Sequence, residues 1–319
     1  MTTIGFLVRT GRYGIADGLR AAHPEVEFLV ADSIDALRPA LGRMDALIVA
    51  TPLYSPAVAD LLRNEAPRLR WMQTLSSGVD SVLKHGLPAQ LTLTSAIGAH
   101  AAPVADHAMA LLLALFRGVP SIALGQARRQ WAQAGQRAGL REIEGCRAAM
   151  LGYGHIGRGI VRRLQAFGAT VTAVNRTGQG AGEAERLLPV SALSDALVGA
   201  DILMLCLPGE AASRPLVDGP ALDLLAPGAV VVNVGRGSSL DTAALVERLR
   251  SGHLAGAALD VFEYEPLAPD DPLWTEPGLI VSPHLAGNGD GVAARIEALI
   301  ADNLQRFLNG DALRNRVAR

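Results

Sequence analysis

A glycine-rich stretch at residues 147–176 constrains this chain more than any other part of it. An apolar run that suits a buried strand is followed by glycines at GxGxxG spacing, a helical pattern and a second strand pattern, in RAAMLGYGHIGRGIVRRLQAFGATVTAVNR. A lone GxGxxG is weak evidence, but inside a unit of βαβ length it predicts dinucleotide binding. We assign Gly152 to the tight turn, Gly154 to close approach of a pyrophosphate and Gly157 to packing of the helix on the strand. A glycine-rich turn without a ligand is the alternative.

The end of the second strand pattern indicates which dinucleotide is bound. An NAD site usually carries Asp or Glu there, to accept a hydrogen bond from the ribose 2′-hydroxyl. This chain has Asn175, Arg176 and Thr177 instead. A guanidinium and a hydroxyl beside a neutral amide suit a 2′-phosphate, so we predict a preference for NADP(H), with NAD(H) as the alternative cofactor. Arg176 as a solvated loop residue is the competing interpretation.

Composition argues against several functional classes. The chain has 319 residues, 50% of them apolar, and a formal net charge of −2, so it is long enough for two domains and has no surface typical of a nucleic-acid or membrane partner. The N-terminus lacks a signal-peptide pattern, and the apolar run at 108–116 is too short to span a bilayer. Of the two cysteines, Cys146 and Cys206, the second is expected to be a buried, reduced thiol. We therefore predict a cytoplasmic protein and assign no metal ligands.

Strand and helix patterns alternate along residues 1–97, which predicts a parallel sheet with crossover helices. No phosphate-type glycine motif occurs there, so this is a second α/β domain. We expect the helical pattern at 292–308 to pack back on it. Residues 1–97 plus 292–319 then form a discontinuous substrate domain, and residues 98–291 form the dinucleotide-binding domain. The predicted strands are 4–8, 26–30, 46–49, 71–75, 91–94, 148–151, 170–174, 201–206, 229–234, 256–261 and 279–282.

A strongly apolar helix is predicted at residues 100–117, between the two domains. Apolar residues cover much of its circumference, so it must be buried on several sides. We expect it at an interdomain or subunit interface. Asp106 and His107, near its start, are interpreted as local polar contacts rather than catalytic groups.

Three side chains with matching chemistry follow the last three strands. Arg236 comes after VVVNVG, Glu265 after ALDVFEY and His284 after LIVSP. The carboxyl ends of parallel strands open onto the ligand crevice, so these side chains are expected beside the dinucleotide. Each alone would be an ordinary loop or structural residue. Together they suit reduction of a 2-oxo acid, because a guanidinium grips the carboxylate and polarises the carbonyl, and an imidazole gives the proton. Glu265 would orient His284 and favour its imidazolium form, with Asp260 as a further supporting carboxylate.

Two loops of the first domain are candidates for substrate contacts. Residues 75–79, LSSGV, follow a strand and offer backbone N–H groups to a small carboxylate. Residues 53–56, LYSP, follow another strand and are expected to line the same pocket. An ordinary strand-to-helix turn is the alternative for either loop.

At these residues the chain resembles the D-isomer-specific 2-hydroxyacid dehydrogenase family, over nearly its whole length. Four stretches are similar to sequence blocks of that family: LGYGHIG to its cofactor block, VNVGRG to its arginine block, LDVFEYEPL to its glutamate block and SPHLAG to its histidine block. The resemblance implies an α/β fold with a Rossmann dinucleotide-binding domain inserted into a flavodoxin-like substrate domain, usually in a homodimer. It implies Arg236 for substrate binding, Glu265 as the partner and His284 as the acid/base.

The motifs and the resemblance together give the full set of predicted contacts. The predicted substrate-binding residues are Tyr54, Ser76, Ser77 and Gly78. The predicted cofactor-binding residues are Gly152, Tyr153, Gly154, His155, Ile156, Gly157, Asn175, Arg176, Thr177, Cys206, Leu207, Pro208, Val234, Gly235, Asp260 and Gly287. Three stretches limit the resemblance: LPGEAAS at 207–213 and AGNGDG at 286–291 lack threonines usual in the family, and LRNEAP at 62–67 is diagnostic of no substrate.

Three functions compete on the sequence alone. The leading one is an NAD(P)-dependent D-2-hydroxyacid dehydrogenase acting on a small 2-oxo acid such as glyoxylate or hydroxypyruvate, because Asn175-Arg176 resembles the NADP-using reductase branches. Phosphite oxidation on the same scaffold ranks lower, since the phosphite enzymes that the chain resembles place a Lys where Ser77 stands. A corepressor-like NAD(H) sensor would carry an extended tail, whereas we expect this chain to stop at Arg319 directly after its last helix.

Overall fold

The computed structural model describes residues 1–9, 15–131, 139–180, 182–209 and 215–317, apart from the side chain of Ile15. The chain divides into two compact units, Met1–His100 with Gly289–Arg319 and Ala101–Asn288. The first unit is thus built from both ends of the sequence, and the second is a continuous insertion. The substrate and cofactor functions assigned to these two parts of the sequence stay predictions.

Twelve strands and eleven helices lie within the described residues. The strands are β1 Thr2–Leu7, β2 Val26–Ala31, β3 Ala46–Val49, β4 Trp71–Thr74, β5 Thr92–Thr94, β6 Arg147–Leu151, β7 Thr170–Asn175, β8 Arg186–Pro189, β9 Ile202–Leu205, β10 Ala229–Asn233, β11 Leu254–Leu259 and β12 Leu279–Val281. The helices are α1 Ile15–Ala22, α2 Ile34–Leu37, α3 Pro56–Glu65, α4 Asp80–His85, α5 Ala101–Phe116, α6 Val119–Ala127, α7 His155–Ala166, α8 Leu193–Leu197, α9 Gly219–Asp223, α10 Thr242–Arg250 and α11 Val292–Asn309. All the predicted strands are present, with ends within two residues of those predicted, and β8 is the one that the sequence patterns missed.

The first unit contains a five-stranded parallel sheet in the order β2-β1-β3-β4-β5. This is the flavodoxin-like strand order. β3 and β4 are buried along their whole length, as expected for central parallel strands covered on both faces. The prediction of a flavodoxin-like first domain is therefore confirmed.

The C-terminal helix α11 belongs to the core of this first unit. Ile296, Ile300 and Leu304, spaced four residues apart on one face, pack in one cluster with Ile48 and Trp71 of the sheet. Residues at this spacing form a single stripe along a helix, so the apolar face of α11 is buried and its opposite face is polar. The predicted return of the C-terminal helix to the first domain is confirmed.

A buried polar network ties α11 to the sheet. Asn303, which is fully buried, donates from Nδ2 to Gln73 Oε1 at 3.0 Å and accepts from Arg314 N at 2.7 Å. Gln73 Oε1 also accepts from Thr94 Oγ1 at 2.7 Å, and Thr94 Oγ1 accepts from Trp71 Nε1 at 2.8 Å. Because buried polar groups are costly without partners, this network specifies how the helix and the segment after it lie on the sheet.

The second unit contains a seven-stranded parallel sheet in the order β12-β11-β10-β9-β6-β7-β8. Read from β8, its first six strands follow the 3-2-1-4-5-6 order of the Rossmann fold, with β12 added beyond the sixth. The strand order reverses between β6 and β9, and this switch point is where such sheets bind dinucleotides. The predicted Rossmann domain is confirmed.

The apolar helix α5 is largely buried within its own unit. Val104, Ala108, Leu112 and Phe116 lie in one core cluster with residues of β6 and α7. α5 and α7 approach closely, since a Cβ on Gly159 would lie 3.2 Å from the Cβ of Ala105. The predicted burial on several sides is confirmed, while the predicted interface role stays a prediction. No single helix in the described ranges is long and apolar enough to cross a membrane, and α5 with α6 meets that criterion only as a pair bent by 70°.

Both cysteines are free thiols, which confirms the predicted reduced state of Cys206, although Cys206 is half-buried and Cys146 is the buried one. Burial raises the pKa of the Cys206 thiol to about 12. Burial likewise raises the pKa of the Cys146 thiol. Neither is therefore poised as a thiolate nucleophile at neutral pH.

Replacement of Asn303 by Ala should destabilise the first unit. Arg314 N would lose its acceptor in a buried site, so we expect the free energy of unfolding to fall by about 2 kcal/mol. Urea unfolding followed by tryptophan fluorescence measures this, because Trp71 belongs to the same network. Gln305→Ala, an exposed position on the same helix, is the control and should change stability by less than about 0.5 kcal/mol. Equal stability of the two variants would contradict the role given to Asn303.

Candidate active site

The glycine turn between β6 and α7 is built as the sequence predicted. Gly152 has φ +97°, and a Cβ on it would lie 2.3 Å from Cys206 O. A Cβ on Gly157 would lie 1.9 Å from Gly152 O, whereas one on Gly154 would meet no atom within 4 Å. Packing therefore requires glycine at 152 and 157, and position 154 opens onto space at the helix N-terminus. That opening, with the N–H groups and positive dipole end of a twelve-residue helix behind it, fits the pyrophosphate of a dinucleotide.

The side chains beside this turn have different surroundings. Gly154 and His155 are exposed at the start of α7, whereas Ile156 packs against the core. Tyr153 is only 5% exposed, and its hydroxyl accepts from Ala184 N at 3.0 Å. The ring of Tyr153 is therefore a core side chain, and its predicted cofactor contact, which stays a prediction, would be made by its main chain.

The turn after β7 is organised by Asn175. Its Oδ1 accepts from Thr177 N at 3.0 Å and from Gly178 N at 2.6 Å, and its Nδ2 donates to Gln179 O at 2.8 Å. An amide that bonds the backbone two residues on is typical of an Asx turn. Asn175 therefore shapes the turn with its side chain, and Arg176 and Thr177 are exposed on it. No carboxylate lies within residues 170–180 to accept from a ribose 2′-hydroxyl.

Arg236 lies in a loop held between two neighbouring loops. A Cβ on Gly235 would lie 2.6 Å from Leu207 N, and a Cβ on Gly237 would lie 2.0 Å from the carbonyl carbon of Phe262. Glycine is required on both sides of the arginine because the contacted atoms are main-chain atoms. The loop after β10 is thereby packed between the loops after β9 and β11.

Asn233, at the end of β10, was not among the predicted site residues. It is 1% exposed, its Oδ1 accepts from Gly235 N at 3.0 Å, and its Nδ2 donates to Arg236 O at 3.1 Å. Its side chain thus fixes the turn on which Arg236 stands. The signal was present in the sequence, since Asn233 is a polar residue at the end of a strand that is otherwise wholly apolar.

The structure brings His284 and Glu265 into contact. His284 Nδ1 lies 2.6 Å from Glu265 Oε2, and Glu265 Oε1 accepts from Phe262 N at 2.9 Å. The carboxylate is therefore anchored at one oxygen and orients the imidazole with the other. The His284 side chain is 52% exposed, and within the described residues its Nε2 makes no hydrogen bond. A carboxylate on Nδ1 with Nε2 available is the arrangement of a general acid/base.

Asp260 holds the loop that carries His284. It is 1% exposed, and its carboxylate accepts from Ser282 Oγ, from Leu285 N at 2.8 Å and from Ala286 N at 3.0 Å. Its main-chain oxygen accepts from His284 N at 2.9 Å. His284 has φ +54°, a left-handed conformation that needs support from its surroundings. Asp260 supplies that support, and the predicted contact between its carboxylate and the cofactor stays a prediction.

Asp106 and His107 of α5 make polar contacts with other elements of the second unit, and their predicted lack of a catalytic role stays a prediction. Asp106 Oδ1 pairs with Arg163 Nη2 at 2.6 Å. His107 Nε2 lies 2.9 Å from Ser282 Oγ and 3.4 Å from Asp260 Oδ1. His107 therefore belongs to the polar cluster behind the His284 loop.

The loop at residues 75–79 of the first unit, whose predicted substrate contacts stay predictions, is held by the hydroxyls of its two serines. Ser76 Oγ donates to Gly78 O at 2.8 Å and Ser77 Oγ donates to Ala96 O at 3.1 Å. The two hydroxyls are thus used within the unit. The backbone N–H groups of Ser76, Ser77 and Gly78, by contrast, donate to no acceptor among the described residues. The main chain rather than the hydroxyls is therefore the part available to an anion.

Tyr54 lies in the core of the first unit. It is 3% exposed in the core beside α3, and its hydroxyl donates to Gly86 O at 2.7 Å. Packing of the first unit accounts for the ring, and the predicted substrate contact of Tyr54 stays a prediction.

Five predicted cofactor residues lie in the loops after β9, β10 and β12: Cys206, Leu207, Pro208, Val234 and Gly287. Their predicted cofactor contacts stay predictions. Residues 210–213 of the atypical LPGEAAS stretch lie outside the described residues.

By fold and by its open glycine turn, the second unit is a dinucleotide-binding domain of the Rossmann class. Residues 109–286, more than half of the chain, match the family profile described as D-isomer specific 2-hydroxyacid dehydrogenase, NAD binding domain. The chain belongs to the D-isomer-specific 2-hydroxyacid dehydrogenase family. The resemblance inferred from the sequence motifs is thereby confirmed.

Two curated relatives illustrate the range of the family. D-3-phosphoglycerate dehydrogenase of Mycobacterium bovis is 30% identical over 92% of this chain, which spans only 54% of the length of that relative. Glyoxylate reductase of Aeropyrum pernix is 32% identical over 82% of this chain and 79% of the relative.

Two solved structures have the same fold over their full length. A D-isomer specific 2-hydroxyacid dehydrogenase family protein from Aeromonas salmonicida is 29% identical, with a TM-score of 0.86 and 99% of each chain covered. The NADPH-dependent glyoxylate/hydroxypyruvate reductase of Sinorhizobium meliloti, in complex with NADP and malonate, is 27% identical, with a TM-score of 0.77, 99% of this chain covered and 97% of that one.

Alanine substitutions at Gly154 and Gly157 should separate cofactor binding from folding. At Gly154 a methyl group meets no protein atom, so the variant should fold normally and bind NADP⁺ about tenfold or more weakly, a loss of about 1.4 kcal/mol or more. At Gly157 the methyl group would overlap Gly152 O, so that variant should lose thermal stability as well. Thermal unfolding and calorimetric titration with NADP⁺ measure the two effects. Normal cofactor affinity in Gly154→Ala would show that the opening is not the pyrophosphate site.

Proposed function

We propose that this protein is an NAD(P)-dependent dehydrogenase that interconverts small 2-oxo acids and 2-hydroxy acids, with glyoxylate or hydroxypyruvate as the leading substrates. The observation that carries the proposal is the contact of 2.6 Å between His284 Nδ1 and Glu265 Oε2, in loops that follow strands of a Rossmann sheet. Membership of the 2-hydroxyacid dehydrogenase family supports the reaction class. Glyoxylate reductase of A. pernix and the reductase of S. meliloti support the substrate class.

In the proposed reaction Arg236 binds the substrate and His284 transfers a proton. The guanidinium of Arg236 pairs with the carboxylate and polarises the adjacent carbonyl oxygen. The bound dinucleotide supplies the hydride that reduces the carbonyl carbon. His284 then gives the proton from Nε2 to the new alkoxide oxygen, and it takes that proton back in the oxidation direction. Glu265 keeps the proton of the ring's other nitrogen in place, so that Nε2 is the nitrogen that exchanges.

The turn at residues 76–78 of the first unit is a further proposed anion contact. The backbone N–H groups of Ser76, Ser77 and Gly78 have no acceptor among the described residues, so they are available to bind an anion. Small acids with short side chains suit a site in which the carboxylate is the main recognised group. A panel of 2-oxo acids of increasing side-chain size, assayed with both cofactors, tests this substrate class. Preference for a large side chain would rule out glyoxylate and hydroxypyruvate.

The proposed cofactor preference is for NADP(H) over NAD(H). It is supported by the Asx turn of Asn175, on which Arg176 and Thr177 are exposed, and by the absence of Asp and Glu from residues 170–180. A 2′-phosphate would meet a guanidinium there, whereas an NAD ribose would find no acidic acceptor. The ratio of kcat/KM for NADPH and NADH with one 2-oxo acid tests the preference, and a higher value for NADH would overturn it.

Alanine variants of His284 and Arg236 should fail in different ways. We expect His284→Ala to lower kcat by roughly 10²-fold or more, as for loss of a general acid. Arg236→Ala should mainly raise KM, because it removes the grip on the carboxylate. Steady-state kinetics of 2-oxo acid reduction measure both. His253→Ala, whose ring contacts Leu222 O at 3.1 Å, is a matched control and should retain normal kinetics. Absence of turnover in the wild-type protein with every 2-oxo acid would favour an NAD(H)-sensing role instead.

A homodimer is also proposed, because the resemblance to the family implies one and α6 leaves apolar side chains exposed. Val119, Ile122 and Leu124 are 48%, 50% and 51% exposed, and such patches are typical of interaction surfaces. Light scattering should give twice the mass of one chain, and Ile122→Glu with Leu124→Glu should reduce it to one. A monomeric wild-type protein would contradict the proposal. The cytoplasmic location stays a prediction from the sequence.

A further inference from the structure

Arg158, in the first turn of α7, packs against a buried aromatic ring and has no ion-pair partner among the residues that the structure describes. Its backbone N donates to Gly154 O at 3.0 Å, which places it directly after the glycine turn. Its guanidinium carbon lies 5.5 Å from the centroid of the Tyr153 ring. That ring is buried and hydrogen-bonded to Ala184 N, so it is a rigid surface against which the guanidinium stacks.

The hydrogen-bonding capacity of Arg158 is unused within the described chain. Its Nε is buried and has no hydrogen-bond partner, and no hydrogen bond or ion pair joins its two Nη atoms to the described residues. Other arginines of this unit are paired: Arg163 with Asp106 at 2.6 Å and Arg248 with Asp223 at 2.9 Å. A guanidinium keeps its charge under all ordinary conditions. Within the described ranges, the guanidinium is stacked on a ring, has no ion-pair partner and has a buried Nε without an acceptor. We therefore infer that an anion from outside the chain binds beside it.

The guanidinium lies next to the turn that follows β7. A Cβ on Gly180 would be 3.8 Å from Arg158 Nη2 and 3.9 Å from Asn175 Nδ2. Gly180 thus lies beside both the arginine and the residue that organises the turn. In a Rossmann domain the adenosine ribose is read at the end of this second strand. The anion that reaches Arg158 is therefore one carried by the adenosine half of the cofactor.

We propose that Arg158 is a second cationic contact for the 2′-phosphate of NADP(H), supplied by the helix, while Arg176 is supplied by the loop. This inference rests on the proposed preference for NADP(H). A phosphate monoester near neutral pH carries between one and two negative charges and three acceptor oxygens. Two guanidinium groups match that charge, and the planar fork of Arg158 donates hydrogen bonds to two of those oxygens at once. The test below distinguishes this role from a pyrophosphate contact, because both cofactors contain a pyrophosphate and only one contains the 2′-phosphate.

The test is calorimetric titration of wild-type protein, Arg158→Ala, Arg158→Lys and Arg162→Ala with NADP⁺ and with NAD⁺. We expect Arg158→Ala to weaken NADP⁺ binding by roughly tenfold or more while NAD⁺ binding changes by less than about twofold. Arg158→Lys should fall between wild type and Arg158→Ala for NADP⁺, because a lysine keeps the charge without the planar fork. Arg162 is the matched control, because it lies one turn further along α7 and pairs with exposed Glu183 at 3.6 Å. Its replacement should leave both affinities unchanged.

The ratio of the two affinities is measured on each variant, so partial misfolding, which lowers both, does not mimic the expected result. Equal weakening of NADP⁺ and NAD⁺ by Arg158→Ala, or no weakening of either, would overturn the role of Arg158 alone. Tighter binding of NAD⁺ than of NADP⁺ by the wild-type protein would overturn the proposed cofactor preference, and the role of Arg158 with it. Normal binding ratios without turnover of any 2-oxo acid would leave Arg158 in place and overturn the proposed reaction.

Discussion

The loops that follow the central strands of the second unit touch one another through main-chain atoms, and this contact determines what the site contains. Gly152 lies against Cys206 O, Gly235 against Leu207 N and Gly237 against Phe262. Main-chain atoms cannot move aside as a flexible side chain can, so only glycine fits at these points. The glycine turn and the loop that carries Arg236 thereby both pack against the loop after β9.

Behind the His284 loop, a buried carboxylate sets the geometry of the proton donor. Burying a carboxylate is expensive unless hydrogen bonds replace its water. Asp260 accepts three such bonds, all from residues 282–286. These hydrogen bonds stabilise the loop in which His284 has a left-handed backbone conformation. Glu265 then orients the ring from the other side. The position of the imidazole is therefore determined before any substrate is bound, which is the condition for efficient general acid catalysis.

Much of this arrangement was predictable from the sequence because it depends on local patterns. Apolar runs at regular spacing marked eleven strands, and the glycine spacing marked the turn. What the sequence could not show was where side chains point. Tyr54 and Tyr153 stand beside predicted binding loops, yet both rings are buried. The side chain of Asn175, a predicted cofactor contact, bonds its own turn. β8 was missed because its sequence, Arg-Leu-Leu-Pro, is short and has no alternation. Each of these outcomes depends on tertiary neighbours, which a linear pattern does not contain.

The first unit needs residues from both ends of the sequence, and this has a consequence for synthesis on the ribosome. Residues 101–288 emerge as one continuous piece and contain every strand of their sheet. Residues 1–100 emerge earlier, but the apolar face covered by α11 and the amide that Asn303 gives to Gln73 arrive only at the end. The inserted unit is therefore able to fold while the first unit still lacks its last helix. During that interval the strands at the N-terminus are the part of the chain most in need of chaperone protection.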